Sequence, residues 1–154
     1  MTRYEQVSIS ILTVCVGNVC RSPMTEGLLR RQLPTLEIAS AGLDACIGRG
    51  ADPYALILMR SRGVDLAGHR ARQMLAHHCR QADLILVMED AHRHAIERDY
   101  SFARGRVFRV GHFGGFEVPD PFGGKAKQFE ICLDSIEQGV ADWVTRIRAL
   151  FATA

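Results

Sequence analysis

"VCVGNVCRSP", residues 14–23, sets two cysteines, a glycine, an asparagine and an arginine between an apolar run and a Ser-Pro pair. The run before it, "VSISILTV" (7–14), reads as a β-strand, and the residues from Ser22 to about Gln32 read as a helix. Cys15 then stands where a strand ends and Arg21 where a helix begins, in a C-x5-R spacing. Gly17 can take a positive φ, Asn18 tolerates the left-handed region, and Ser22-Pro23 supplies a cap and a first-turn proline. A loop folded this way turns successive amides inward. Such a nest, backed by a helix N-terminus, binds phosphate-like anions and stabilises a thiolate held within it. Cys15 is the expected nucleophile, and the planar fork of Arg21 can grip two non-bridging oxygens in a way lysine cannot.

Working outward, "LEIAS" (36–40) gives a second strand and so a β-α-β opening. "ADPYALILMRSRG" follows, with Asp52 as N-cap, Pro53 in the first turn and Gly63 beyond a helix ending near Arg62. "DLILVM" (83–88) is a continuous apolar strand, "EDAHRHAIERD" a short helix capped by Asp90, and "RVFRV" (106–110) a fourth strand. Apolar residues from Phe129 to Phe151 keep a 3.6 period, which predicts a long helix packed on the sheet. The alternation predicts a single-domain α/β fold, 1–154: a four-stranded parallel sheet with helices on both faces and a phosphate-binding loop after the first strand. Ligands in such sheets sit at the carboxyl ends of the strands. "GHFGGFEVPDPFGG" (111–124) exceeds the usual connection of about 4–6 residues and reads as a functional lid.

Composition narrows the classes further. Hydrophobic residues make up 47% and charged residues 23% of 154, the balance of a soluble globular protein. No stretch approaches the ~20 apolar residues of a membrane span, and the first 14 residues lack a signal-peptide pattern, so membrane insertion is not expected and the location is expected to be cytoplasmic. Five cysteines without a C-x-x-C pair argue for reduced thiols, with Cys46, Cys79 and Cys132 read as small buried hydrophobes. The histidines show no ligand spacing, and no metal or cofactor is called for, because Arg21 and the loop amides supply the positive field. A net charge of +2 is too small for a nucleic-acid footprint, and the clusters "RSRG", "HRARQ" and "RGRVFR" lack interleaved aromatics.

"CVGNVCRSP" resembles the phosphate-binding loop of the low-molecular-weight protein tyrosine phosphatases, C-x-G-N-x-C-R-S-P. "SAGL" (40–43), "GHRARQ" (68–73), "DLILVME" (83–89) and "DPF" (120–122) continue the likeness along nearly the whole chain. "GRGADP" and "GHRARQ" look like the bacterial branch linked to capsule or exopolysaccharide export, whose usual partner is a tyrosine autokinase. The resemblance implies hydrolysis of phosphotyrosine through a phosphocysteine on Cys15, with Asp120 as general acid. It also implies phosphate held by Val16, Gly17, Asn18, Val19, Cys20 and Ser22, the Ser22 hydroxyl bonded to the Cys15 sulfur, and a polar network of Asn18, Ser40 and His69 holding the loop. Phe122 would stack on the substrate ring where the family commonly has tyrosine, Gly123 replaces a second aromatic, and Leu43 with Ala45 would form the opposite wall.

Two other readings compete. An arsenate reductase of this fold needs two further cysteines just beyond the third strand, where this chain has "MEDAHRH". A non-catalytic phosphate-binding module would not need Cys15, Arg21 and Asp120 together. Read without the resemblance, "PDPF" is a stiff turn, and Glu89 and Asp90 are rival carboxylates at the same mouth.

Overall fold

The strand predicted from the apolar run before Cys15 forms the second position of a sheet in order β2-β1-β3-β4, every neighbouring pair parallel. The structure is a computed structural model and describes residues 8–152; position 7, where that strand was expected to start, lies outside them. The strands are β1 (Ser10–Cys15), β2 (Glu37–Gly42), β3 (Leu84–Val87) and β4 (Val107–Arg109). Between and after them run α1 (Arg21–Gln32), α2 (Pro53–Ser61), α3 (Ala76–Gln81), α4 (Asp90–Asp99) and α5 (Ala126–Ala152).

Strand alternation divides the interior in two. Ile11 and Cys15 of β1 and Leu86 of β3 face a core built with Met24, Leu28 and Leu29 of α1, Met59 of α2, and Phe129, Leu133 and Ile136 of α5. Leu12, Val14, Ile85 and Val87 face the opposite core with Cys79 of α3 and Ile96 of α4. Helices therefore cover both faces, as the continuous apolar strands require. Each fully buried large aliphatic or aromatic side chain contributes about 1.5–3 kcal/mol.

Four local expectations change. Cys15 belongs to β1 and pairs with Gly42, so the loop starts after the nucleophile, not at it. α1 begins at Arg21, and Ser22 lies inside it without capping it, because its hydroxyl is drawn into the loop. Asp90 does not cap α4; Glu89 holds the cap position, and the Asp90 side chain instead meets Arg93 and Arg109. Helix α3, six residues with only Cys79 buried, carries too little periodicity to be foreseen. Asp52 does cap α2, accepting the Tyr54 amide at 2.9 Å.

Candidate active site

The loop from Cys15 to Cys20 is shaped by where its carbonyls go. Those of Cys15, Val16 and Gly17 accept from the amides of Leu43, Asp44 and Cys46, that of Val19 from Asp52, and that of Cys20 from Met24. The sixth, on Asn18, accepts His69 Nε2–H at 2.7 Å. With every carbonyl engaged outside the loop, the peptide planes are set, and the amides of residues 17–20 donate to no protein group among the described residues. These donors, beside the N-terminus of α1, are an anion cradle.

Asn18 locks this shape. It is the one non-glycine residue with positive φ (58°) among the described residues, and it is fully buried. Its Nδ2 donates to Ser22 Oγ at 2.7 Å and Ser40 Oγ at 3.0 Å, while its Oδ1 accepts the Arg72 amide at 2.9 Å. Because Asn18 donates to the Ser22 oxygen, the Ser22 hydroxyl proton is left for Cys15 Sγ, 3.0 Å away. The Cys20 thiol is pushed up well beyond its usual range, first by burial and then by Asp52, so it stays protonated beside the nucleophile.

Arg21 closes the far side, only 2% exposed. Its Nη1 donates to Glu89 Oε2 at 2.6 Å and to the Val118 carbonyl at 3.0 Å, while Nη2 lies 3.5 Å from Asp120 Oδ2. With Nη1 occupied twice, the Nε–H and Nη2–H edge is the pair left to face an oxyanion. Val118 is itself buried and donates its amide to Met88, which pins part of the 111–124 stretch, read as a functional lid, as a strap beside the cavity. Asp120 and Phe122 project from this strap; Asp120 Oδ1 accepts the Phe122 amide at 3.0 Å, and Phe122 is 60% exposed.

Cys15, Val16, Gly17, Val19, Cys20, Arg21, Asp120 and Phe122 come together around a cavity of ≈ 150 Å³, completed by Asp44 and Cys46. A larger hollow of ≈ 610 Å³ behind the loop has no cysteine on its walls. A thiol under a cradle of amides, a guanidinium fork and a projecting carboxyl can hold a tetrahedral oxyanion, attack its centre and exchange a proton with its ester oxygen. The family model described as low molecular weight phosphotyrosine protein phosphatase matches residues 10–151. The chain belongs to that family.

The probable low molecular weight protein-tyrosine-phosphatase EpsP of Ralstonia nicotianae is 44% identical over 141 residues, covering 92% of this chain and 97% of that protein. The tyrosine phosphatase Wzb from Escherichia coli K30 in complex with sulphate superposes with a TM-score of 0.87 at 38% identity, over 90% of this chain and 97% of its own. Wzb of Vibrio vulnificus in complex with benzylphosphonate gives 0.87 at 35% identity, over 90% and 98%.

Within this phosphatase three site expectations are corrected. Leu43 does not line the cavity: its amide is tied to Cys15 and its side chain packs into the α3/α4 core, so the wall falls to Asp44 and Cys46. The positive φ expected of Gly17 belongs to Asn18 alone. Glu89 does not line the cavity either, since its carboxylate is taken by Arg21 and His92. Ser40 and His69 stand where expected, both bonded to Asn18. Gly123 has φ 78°, which disfavours the aromatic it replaces. Two contributors escaped the sequence reading. One is the 43–52 segment that anchors the loop carbonyls; the other is the clamp on Arg21 formed by Glu89 and Val118. The acidic residue directly after the third strand was the available signal for Glu89.

Proposed function

We propose that this chain hydrolyses phosphotyrosine in proteins through a phosphocysteine intermediate, with Cys15 as nucleophile, Arg21 as phosphoryl clamp and Asp120 as general acid. The observation that carries the reading is the shared cavity: Cys15 and Arg21 on one side, Asp120 and the exposed Phe122 ring on the other. In the first step the Cys15 sulfur forms a bond to phosphorus, the bond to the tyrosyl oxygen breaks, and Asp120 gives that oxygen its proton. In the second, Asp120 takes a proton from water as the water oxygen attacks phosphorus, and the sulfur leaves as thiolate, stabilised by the Ser22 hydroxyl. Arg21 and the loop amides of residues 17–20 follow the equatorial oxygens through both steps.

Phe122 and Cys46 stand on the cavity wall, where a flat tyrosyl ring would lie, and phosphotyrosine should be preferred over the shorter, ringless phosphoserine, which cannot use that contact. Asp120→Asn tests the acid. With phenyl phosphate or phosphotyrosine, whose leaving oxygen has a pKa near 10, the burst phase should slow by roughly 10²- to 10⁴-fold. With p-nitrophenyl phosphate the defect should shrink, and an equal slope against leaving-group pKa in parent and variant returns the role to another group.

The substrate we infer is a tyrosine autokinase of polysaccharide export, encountered in the cytoplasm. "GRGADP" and "GHRARQ" support it, as do relatives carrying the names EpsP and Wzb and five cysteines that are all free thiols. Cys15→Ser should retain the phosphorylated kinase on a column and release it with vanadate. Failure of the parent enzyme to dephosphorylate that kinase removes the assignment and leaves the chemistry standing.

A further inference from the structure

Nδ1 of His92 is the buried side-chain polar atom that lacks a hydrogen-bond partner among the described residues. His92 lies in the first turn of α4 with its side chain 7% exposed. Its other nitrogen, Nε2, is 3.2 Å from Glu89 Oε2, the same oxygen that accepts Arg21 Nη1 at 2.6 Å. We propose that His92 is a positioning residue for the phosphoryl clamp: a neutral imidazole whose Nε2–H holds the Glu89 carboxylate against Nη1 of Arg21, so that the Nε–H and Nη2–H edge faces the substrate oxygens. The proposal rests on the reading of Arg21 given above and adds the residue that orients it.

The tautomer follows from the two environments of the ring. A proton on Nδ1 would be a buried N–H with no acceptor, which is costly for a neutral ring and more so for a charged one. A proton on Nε2 points at a carboxylate. Burial and then the nearby Arg21 charge lower the His92 pKa below its ordinary 6.5, against the carboxylates of Glu89, Asp120 and Glu117, which act the other way. The neutral form with hydrogen on Nε2 is the one the surroundings select.

Glu89 needs such a guide. Its side chain is 36% exposed and free to turn towards water, whereas Arg21 is almost wholly enclosed. If Glu89 swings away, Nη1 keeps only the Val118 carbonyl, and the guanidinium is drawn towards Asp120, which already lies 3.5 Å from Nη2. The fork then turns off the phosphoryl position, so the loss falls on oxyanion binding more than on folding.

Sulfate serves as the probe, since its charge does not change across neutral pH. His92→Phe should raise the sulfate inhibition constant and KM about tenfold, the worth of one charge-assisted hydrogen bond. His92→Gln keeps an N–H within reach of Glu89 and should stay within about twofold of the parent. A purely structural role would lower the melting temperature of both variants and leave sulfate inhibition unmoved. Equal sulfate affinity in both variants, whether impaired or intact, overturns the proposal. Nitrogen-15 NMR of the parent imidazole at pH 7 provides a reading that needs no variant: a neutral ring protonated on Nε2 is expected, and a cationic or Nδ1–H ring overturns it. Arg21→Lys separates the two levels. If it binds sulfate as tightly as the parent, the clamp reading itself falls; if it loses sulfate while His92→Phe does not, His92 alone loses its role.

Discussion

Asn18 combines two costs that a substitution would expose separately. Its left-handed φ is tolerated because its own amide satisfies two serine hydroxyls and the Arg72 N–H. Asn18→Ala would strand those buried groups and keep a strained backbone, so a loss of about 2–4 kcal/mol is expected in urea titration, together with loss of activity. Asn18→Gly relieves the strain only and should lose stability less while remaining inactive. At this scale Cys15 and Arg21 were legible less from their spacing, which a chain rich in arginine can produce by chance, than from Gly17, Asn18 and Ser22-Pro23 around them. What was not legible depended on partners remote in sequence. The value of Glu89 lies in Arg21, 68 residues away, and the wall register at residues 43–46 was set by a turn whose peptides are spent on the loop carbonyls. The Asp44 carboxylate now stands on that wall with no partner of its own among the described residues, so Asp44→Asn should weaken preference for phosphotyrosine peptides with a neighbouring lysine or arginine by several-fold in kcat/KM, about what an exposed ion pair of up to ~1 kcal/mol supplies.

Helix α5 shows what periodicity can and cannot deliver. Its 3.6 repeat announced a long amphipathic helix, and Phe129, Cys132, Leu133, Ile136 and Val140 do enter the core that Ile11, Cys15 and Leu86 share, although α5 packs chiefly along α1 and α2. The repeat says nothing of how closely the helix approaches. At Gly139 an added Cβ would sit 2.5 Å from Val110 Cγ1 and 2.6 Å from the Val110 carbonyl oxygen. Helix propensity alone favours Gly139→Ala by about 0.8–1 kcal/mol, but overpacking of this kind costs about 1–3 kcal/mol, so the variant should have a lower urea midpoint than the parent. Helix α3 failed to announce itself for the complementary reason: one buried residue in six sets no period. The Ser22-Pro23 signal named the right helix and the wrong cap, since a hydroxyl bonded to a sulfur and an asparagine is not free for the helix amides.

For the molecule as a whole, the strand-helix alternation carried the architecture, and buried titratable groups set its pH range. His92 and His78 have folded pKa values lowered from 6.5, so below that pH the unfolded chain takes up protons first and stability falls with acid. Cys20, Cys79 and Cys132 are raised from 9.0 by burial, Cys132 to about 12, so their contribution is whole below pH 9 and is lost as the pH climbs towards the folded values. Urea midpoints should therefore form a plateau between about pH 6.5 and 9 and decline on both sides, by up to about 1.4 kcal/mol per pH unit for each thiol on the alkaline limb. A midpoint that rises beyond pH 9 would contradict the thiol assignments. The outward anchoring of all six loop carbonyls has one further consequence. A hollow assembled before any ester arrives is equally ready for the orthophosphate that each turnover releases, because the two present the same oxygens to the same donors. Turnover should slow as free orthophosphate accumulates around the enzyme, which would make its rate a gauge of the phosphate supply in which it works.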